Sequence, residues 1–290
     1  MTTAPLRASS ISSSAGVTSV HHNNNWTDFL ILQRLRREGR LHLRVFASPP
    51  LDSWPRLRDY IAAYGRGDWW LRWGAVKGYG AITAARYGPL VSGASRAGLQ
   101  IMVHVGSNDE LRILLEIFER VRSDLSLRDP RFRVEHAHDM PADAIDAMVR
   151  AGALASWQPP LVAHYDQRTR LGAPPPVNLF PCQALLAAGV RIAFGTDTQP
   201  GEVLPPMASL QMALERAAPD GTRLSLDEGL RALTRDAAWA EFAESEKGTL
   251  TPGMLADFVV FDRDLFQTPV PLIHEVKVRM TVIGGKVAFE

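Results

Sequence analysis

A single cysteine, Cys182, stands in 290 residues, so no internal disulfide can form and a reducing compartment, the cytoplasm, is expected. Charge of one sign is missing as well. The 32 basic and 31 acidic side chains leave a net charge of +1, too little to steer the chain to nucleic acid or to an anionic membrane. Long apolar runs are also lacking: Arg191 interrupts "AAGVRIAFG", and no stretch reaches the roughly 20 residues of a membrane span. The polar, serine-rich start "MTTAPLRASSISSSAG" has no apolar block of the kind a secretory signal requires, so no export is expected. No glycine-rich phosphate turn follows the first strand candidate, which ranks an open dinucleotide-binding sheet second.

What is present is apolar residue in quantity, 46% of the chain, enough for one large core with a small appendage. Short β-branched runs alternate with helical stretches, the pattern of parallel strands joined by crossover helices. The strand candidates are residues 16–22, 41–48, 70–80, 98–106, 131–139, 153–160 and 190–198. Seven βα units spaced about 30 residues apart are one short of the eight that close a TIM barrel. The expected fold is therefore α/β of the (β/α)8 TIM-barrel type with one unit missing. Ser225 and Glu228 stand at capping-box spacing ahead of the helical "LDEGLRALTRDAAWAEFA". From residue 247 the texture changes to strands and glycine turns, "KGTLTPGMLADFVVFDRD" and "VKVRMTVIGGKVAFE". This predicts a barrel domain over 1–246 and a small partial β-sandwich over 247–290.

In a barrel, side chains closing the strands converge on one mouth. Lys77, His104, His136 and Asp197 each end an apolar strand. Singly, each has a bland reading: a snorkelling lysine, a hydrogen-bonded core histidine, an aspartate capping the next helix. Together, two imidazoles, a lysine and a carboxylate are donors suited to a divalent metal, zinc above all. A lysine can join such a set once CO2 converts its amine to a carbamate. A metal-activated water near Asp197 would give that carboxylate a proton to take up and pass to a leaving nitrogen. His21 and His22 end the first strand and are weaker ligand candidates, since adjacent strand residues point to opposite faces. His138, Trp157, Gln158 and His164 are placed as substrate contacts, and Glu135 as a structural residue facing away from His136.

The pieces "GVTSVHH", "VHVGSND", "RVEHAHD", "ASWQPP", "GVRIAFGTDT" and above all "EKGTLTPGMLADFVVFDRD" resemble the metal-dependent amidohydrolases of the amidohydrolase-3, YtcJ-like family. The resemblance runs from about residue 16 to the carboxyl end and is most specific in the last segment. It implies a TIM barrel with a composite β-sandwich, zinc, and hydrolysis of carbon–nitrogen bonds other than peptide bonds in a small amide-type substrate. His104, His136, Asp197 and Lys77 fall on the family's ligand positions, Asp197 being also its catalytic carboxylate. Two departures stand out. No His-x-His ends a strand before residue 16, so the first barrel strand is expected to be missing, and "HVGSND" replaces the family's "HAIGD". Self-association or aggregation through open sheet edges follows as an expectation. Three readings stay open: an active hydrolase, a degenerate barrel without turnover, and a small-ligand-binding barrel.

Overall fold

The computed structural model describes residues 13–23, 25–161, 167–172, 176, 178–197, 205–218 and 221–290. The first half follows the predicted alternation. Strand β1 (Ser19–Asn23) leads to helix α1 (Trp26–Arg37), β2 (Arg44–Ser48) to α2 (Trp54–Tyr64), and then β3 (Leu71–Trp73) and β4 (Ala75–Gly78) precede α3 (Ala84–Arg96). The predicted strand over 70–80 is thus two. Gly74 breaks it at φ +152°, a backbone that L side chains rarely adopt. β3 pairs with β2, and β4 pairs with β5.

Beyond it come β5 (Gln100–Val105), α4 (Asn108–Asp124), β6 (Phe132–His136), α5 (Ala142–Ala151), β7 (Ala153–Trp157), α6 (Cys182–Ala187), β8 (Ile192–Phe194) and α7 (Pro206–Glu215). Helix α4 shows why the alternation holds. Ser107 accepts a hydrogen bond from the Glu110 amide, Asp109 and Glu110 occupy the first turn, and Leu111, Leu114, Leu115, Phe118 and Val121 recur on one buried face.

All strands in this region pair in parallel, in the orders β1-β2-β3 and β4-β5-β6-β7-β8. The two sheets are joined where the Lys77 amide donates to the Pro49 carbonyl and Pro50 bridges Lys77. The chain is an α/β protein of TIM-barrel type. Among the described residues, β1 and β8 each have a strand neighbour on one side only.

The capping box at Ser225 and Glu228 is formed, but the helix it starts is broken at Thr234 into α8 (Leu226–Leu233) and α9 (Arg235–Trp239). Strands β9 (Phe258–Phe261), β10 (Val278–Ile283) and β11 (Lys286–Phe289) form an antiparallel sheet in the order β11-β10-β9. Arg44, at the start of β2, pairs with Asp257 through its Nη2 at 2.8 Å while its guanidinium lies 4.9 Å from the Trp70 ring centre. Both charges are buried. Asp257 also accepts from the Gly284 amide, so one carboxylate ties this sheet to the foot of the barrel. No helix of the described residues is long and apolar enough to cross a membrane.

Candidate active site

The barrel interior sets the mouth from below. Strand alternation points Arg133 and Glu135 the same way on β6, and both are buried with Arg133 Nε 2.8 Å from Glu135 Oε1. Glu135 Oε2 lies 4.0 Å from the Nζ of Lys77, which is 2% exposed. Glu135 therefore faces the barrel interior beside Lys77. This corrects its reading as a residue turned away from the site. The expectation was right that Glu135 and His136 alternate, but it assigned the inward face to the wrong one.

His136 reaches the mouth by a different device. It takes φ +68° and Ala137 takes φ +45°, two successive left-handed residues with side chains, each costing on the order of 1–3 kcal/mol. This turn brings the His136 ring centre to 4.3 Å from that of His104, the planes crossing at 61°. Asp197, just past β8, is also left-handed at φ +52° and is exposed. Strain of this kind persists where surrounding structure enforces it, and it gathers at functional sites.

Electrostatics match the geometry. Burial lowers the pKa of His104, and Lys77 lowers it further while Asp197 opposes. Burial, then the neighbouring His104 and Lys77, hold His136 down at about 4. Both imidazoles are thus neutral at neutral pH, with lone pairs to offer. Burial brings Lys77 down to about 8, Glu135 and Asp197 working against that and Arg133 with it. Asp197 acts through its field on Lys77, His104 and His136 alike.

As donors, the residues fit a divalent cation in part. His104 and His136 stand together as an imidazole pair, the chemistry zinc takes. Among the described residues, however, no three His, Cys, Asp or Glu side chains are gathered so that they could hold a metal ion.

The predicted substrate contacts divide. His138 is 1% exposed, stacks on Phe180 at 5.1 Å, and accepts a hydrogen bond from the Gln158 amide. Gln158 is buried and its Oε1 has no hydrogen-bond partner. Trp157 is fully buried, 4.9 Å from Phe180. It supports the wall from behind and does not line it, because alternation turns it away from the face shared by Ser156 and Gln158. His164 lies outside the described residues.

His21, a weaker ligand candidate, is turned into the barrel. Its Nδ1 is 2.6 Å from Arg133 Nη1 and its Nε2 is 3.4 Å from Glu241 Oε1. Both ring nitrogens are occupied, which removes it as a ligand. Glu241 is buried against Lys247 and lies 3.8 Å from Arg72 Nη1. Neither Glu241 nor Arg133 was singled out from the sequence.

This buried charge carries a pH dependence. Burial alone would raise the pKa of Glu135 and Glu241, but Arg133 and Lys77 beside the first, and Lys247 and His21 beside the second, hold both at about 2, below the ordinary 4.5. Their stabilisation is whole above the ordinary value and is lost as pH falls through 4.5 towards about 2. His138, held by burial at about 3 instead of 6.5, acts in the same direction, since the unfolded chain binds its proton first. Denaturant midpoints should therefore fall from about pH 6.5 and drop steeply below about 4.5. A profile level from pH 7 to 3 would contradict this.

The sequence matches the Amidohydrolase family over residues 8–289. Among curated relatives, imidazolonepropionase of Rhizorhabdus wittichii is 31% identical over 67% of this chain and 43% of its own length. N-substituted formamide deformylase of Arthrobacter pascens is 28% identical over 68% of this chain and 38% of its own. The chain spans about half or less of the length of such relatives. Among solved structures, atrazine chlorohydrolase TrzN from Arthrobacter aurescens TC1, complexed with zinc, superposes with a TM-score of 0.69 at 18% identity, covering 94% of this chain and 68% of that one.

Proposed function

Because the chain belongs to the amidohydrolase family, we propose that its barrel mouth hydrolyses a carbon–nitrogen bond, other than a peptide bond, in a small amide-type molecule. The observation that carries this reading is the His104–His136 pair, 4.3 Å apart on adjacent strands and set beside buried Lys77. The names of the relatives, an imidazolonepropionase and a formamide deformylase, support cyclic and N-substituted amides as the first substrates to try.

His104 and His136 would hold a divalent cation, with Asp197, and Lys77 only once CO2 has converted its amine to a carbamate, completing its shell; zinc suits the imidazole and carboxylate donors. When bound there, such a cation supplies Lewis acidity, polarising an amide carbonyl and making water nucleophilic near neutral pH. The chain's own residues do the rest. Asp197 takes a proton at its carboxylate and returns it to the leaving nitrogen. Gln158 Oε1, buried without a partner, is an acceptor awaiting a substrate N–H. His138 is braced by Phe180 and the Gln158 amide and borders the same space, and His164 is retained as a further contact.

We divide the chain into a barrel domain over 1–246 and a carboxyl-terminal sandwich portion over 247–290, and place it in the cytoplasm, where its lone cysteine stays reduced. Self-association through the unpaired edges of β1 and β8 belongs to the same proposal. A second reading, a barrel without turnover, is favoured by the absence of a gathered three-ligand set among the described residues.

Activity on a panel of cyclic amides, formamides and N-acyl amino acids, measured before and after chelation, tests the proposal. Turnover lost on chelation and restored by zinc is expected. Turnover indifferent to chelation would overturn it.

A further inference from the structure

A continuous line of buried charge runs down the inside of the barrel. Lys77 Nζ lies 4.0 Å from Glu135, Glu135 lies 2.8 Å from Arg133 Nε, Arg133 Nη1 lies 2.6 Å from His21 Nδ1, and His21 Nε2 lies 3.4 Å from Glu241. Lys247 closes the line, held by Glu241 and by the Ser19 hydroxyl. The lower end lies at the foot of the strands, where Gln100, the first residue of β5, donates to the Ala240 carbonyl. Nothing in the hydrolytic reading uses His21, yet it is the one uncharged link between two charges.

The tautomer of His21 follows from chemistry. An arginine guanidinium has donors only, so the His21 Nδ1 that it meets must be the acceptor. The ring proton then sits on Nε2, which faces the Glu241 carboxylate. The opposite tautomer would set two N–H groups against each other at 2.6 Å and leave the carboxylate facing a lone pair. Doubly protonated His21 would clash with Arg133 in the same way. Arg133 is placed by this contact on one side and by the Ser156 hydroxyl, 3.2 Å from Nη2, on the other. Its Nε lies 2.8 Å from Glu135 Oε1 as a buried ion pair, so His21 and Ser156 fix the two terminal nitrogens of the guanidinium while Glu135 is held at its Nε.

We infer that His21 is a positioning residue: a neutral, Nε2-protonated imidazole, anchored by Glu241, that seats Arg133 and through it holds Glu135 against Lys77. The role in the site rests on the reading of the mouth given above, whereas the tautomer and the seating of Arg133 do not. A partner that directly fixes a metal-binding group governs metal affinity by about 10–100-fold, and His21, which acts through Arg133 and Glu135, falls at or below the lower end of that range.

Two variants separate this role from mere filling of space. His21→Gln keeps one acceptor for Arg133 and one donor for Glu241. His21→Phe keeps the ring, and with it the edge contact to Phe46 at 5.6 Å, but removes the acceptor for Arg133 and the ring nitrogen 3.4 Å from Glu241 Oε1. Zinc affinity measured by competition should fall about threefold to tenfold in His21→Phe and recover to within about twofold of wild type in His21→Gln. Crystal structures of the two should show Glu135 displaced from Lys77 in the first and in place in the second. Histidine-labelled wild-type protein should give a His21 signal in 15N NMR with the proton on Nε2 at neutral pH.

If wild-type protein binds no zinc, the hydrolytic reading fails and the crystal structures and NMR still judge the positioning. A His21 protonated on Nδ1 or on both nitrogens overturns the inference, as does a His21→Phe protein with Glu135 and zinc affinity unchanged. Should His21→Phe fail to fold, the wild-type NMR signal alone decides.

Discussion

Asp197→Asn is expected to lower kcat by about 10²- to 10⁴-fold, the usual contribution of a positioned proton acceptor, with the fold intact. The amide keeps the shape of the carboxylate but has no basic oxygen, and Asp197 is exposed at the mouth, so the substitution opens no cavity. Its field reaches Lys77, His104 and His136, which puts the lost charge where a proton must be moved. Single-turnover rates and melting curves of variant and wild type would check this together. A variant with the wild-type rate would reduce Asp197 to a turn residue held at φ +52°.

The largest loss of stability is expected from Glu241→Leu. Glu241 is 2% exposed and faces Lys247, His21 and Arg72, so its removal leaves buried positive charge without a counter-charge. Breaking a buried pair from one side costs about 3–5 kcal/mol, against about 5–15 kcal/mol for a whole domain. The double variant Glu241→Leu with Lys247→Met should recover part of that loss, because neither charge then stays behind. Urea midpoints of the two singles and the double form the required cycle. A single Glu241→Leu within about 1 kcal/mol of wild type would show that water or a neighbouring side chain already screens the cluster.

The parts of the candidate site that could be read from sequence are those written locally. Lys77, His104, His136 and Asp197 announce themselves as polar residues closing apolar strands, and Ser225 with Glu228 as a capping box, because each signal spans a few residues. The alternation of Glu135 and His136 was legible too, but not which of the two faces inward. That is settled by the left-handed turn at His136 and Ala137; histidine adopts such a backbone more readily than most residues with side chains, but the alanine beside it gives no signal for one.

Non-local pairings left no trace. His21 on β1 meets Arg133 on β6 and Glu241 after α9 only because the sheet curls round to bring them together. Each reads alone as an ordinary charged or aromatic residue. Trp157 failed as a pocket residue for a simpler reason, since its strand position gives an orientation and a one-residue offset reverses it. The split of β3 from β4 was marked in the sequence by Gly74, which a strand interior does not favour.

Elemental analysis of purified protein, with a His104→Ala and His136→Ala double variant alongside, tests the central claim most directly. The account predicts about one equivalent of zinc in the wild-type chain, near the one-ion capacity of a paired-imidazole site, and essentially none in the double variant with its melt preserved. A folded wild-type chain that binds no divalent metal, or a double variant that keeps its zinc, would contradict it.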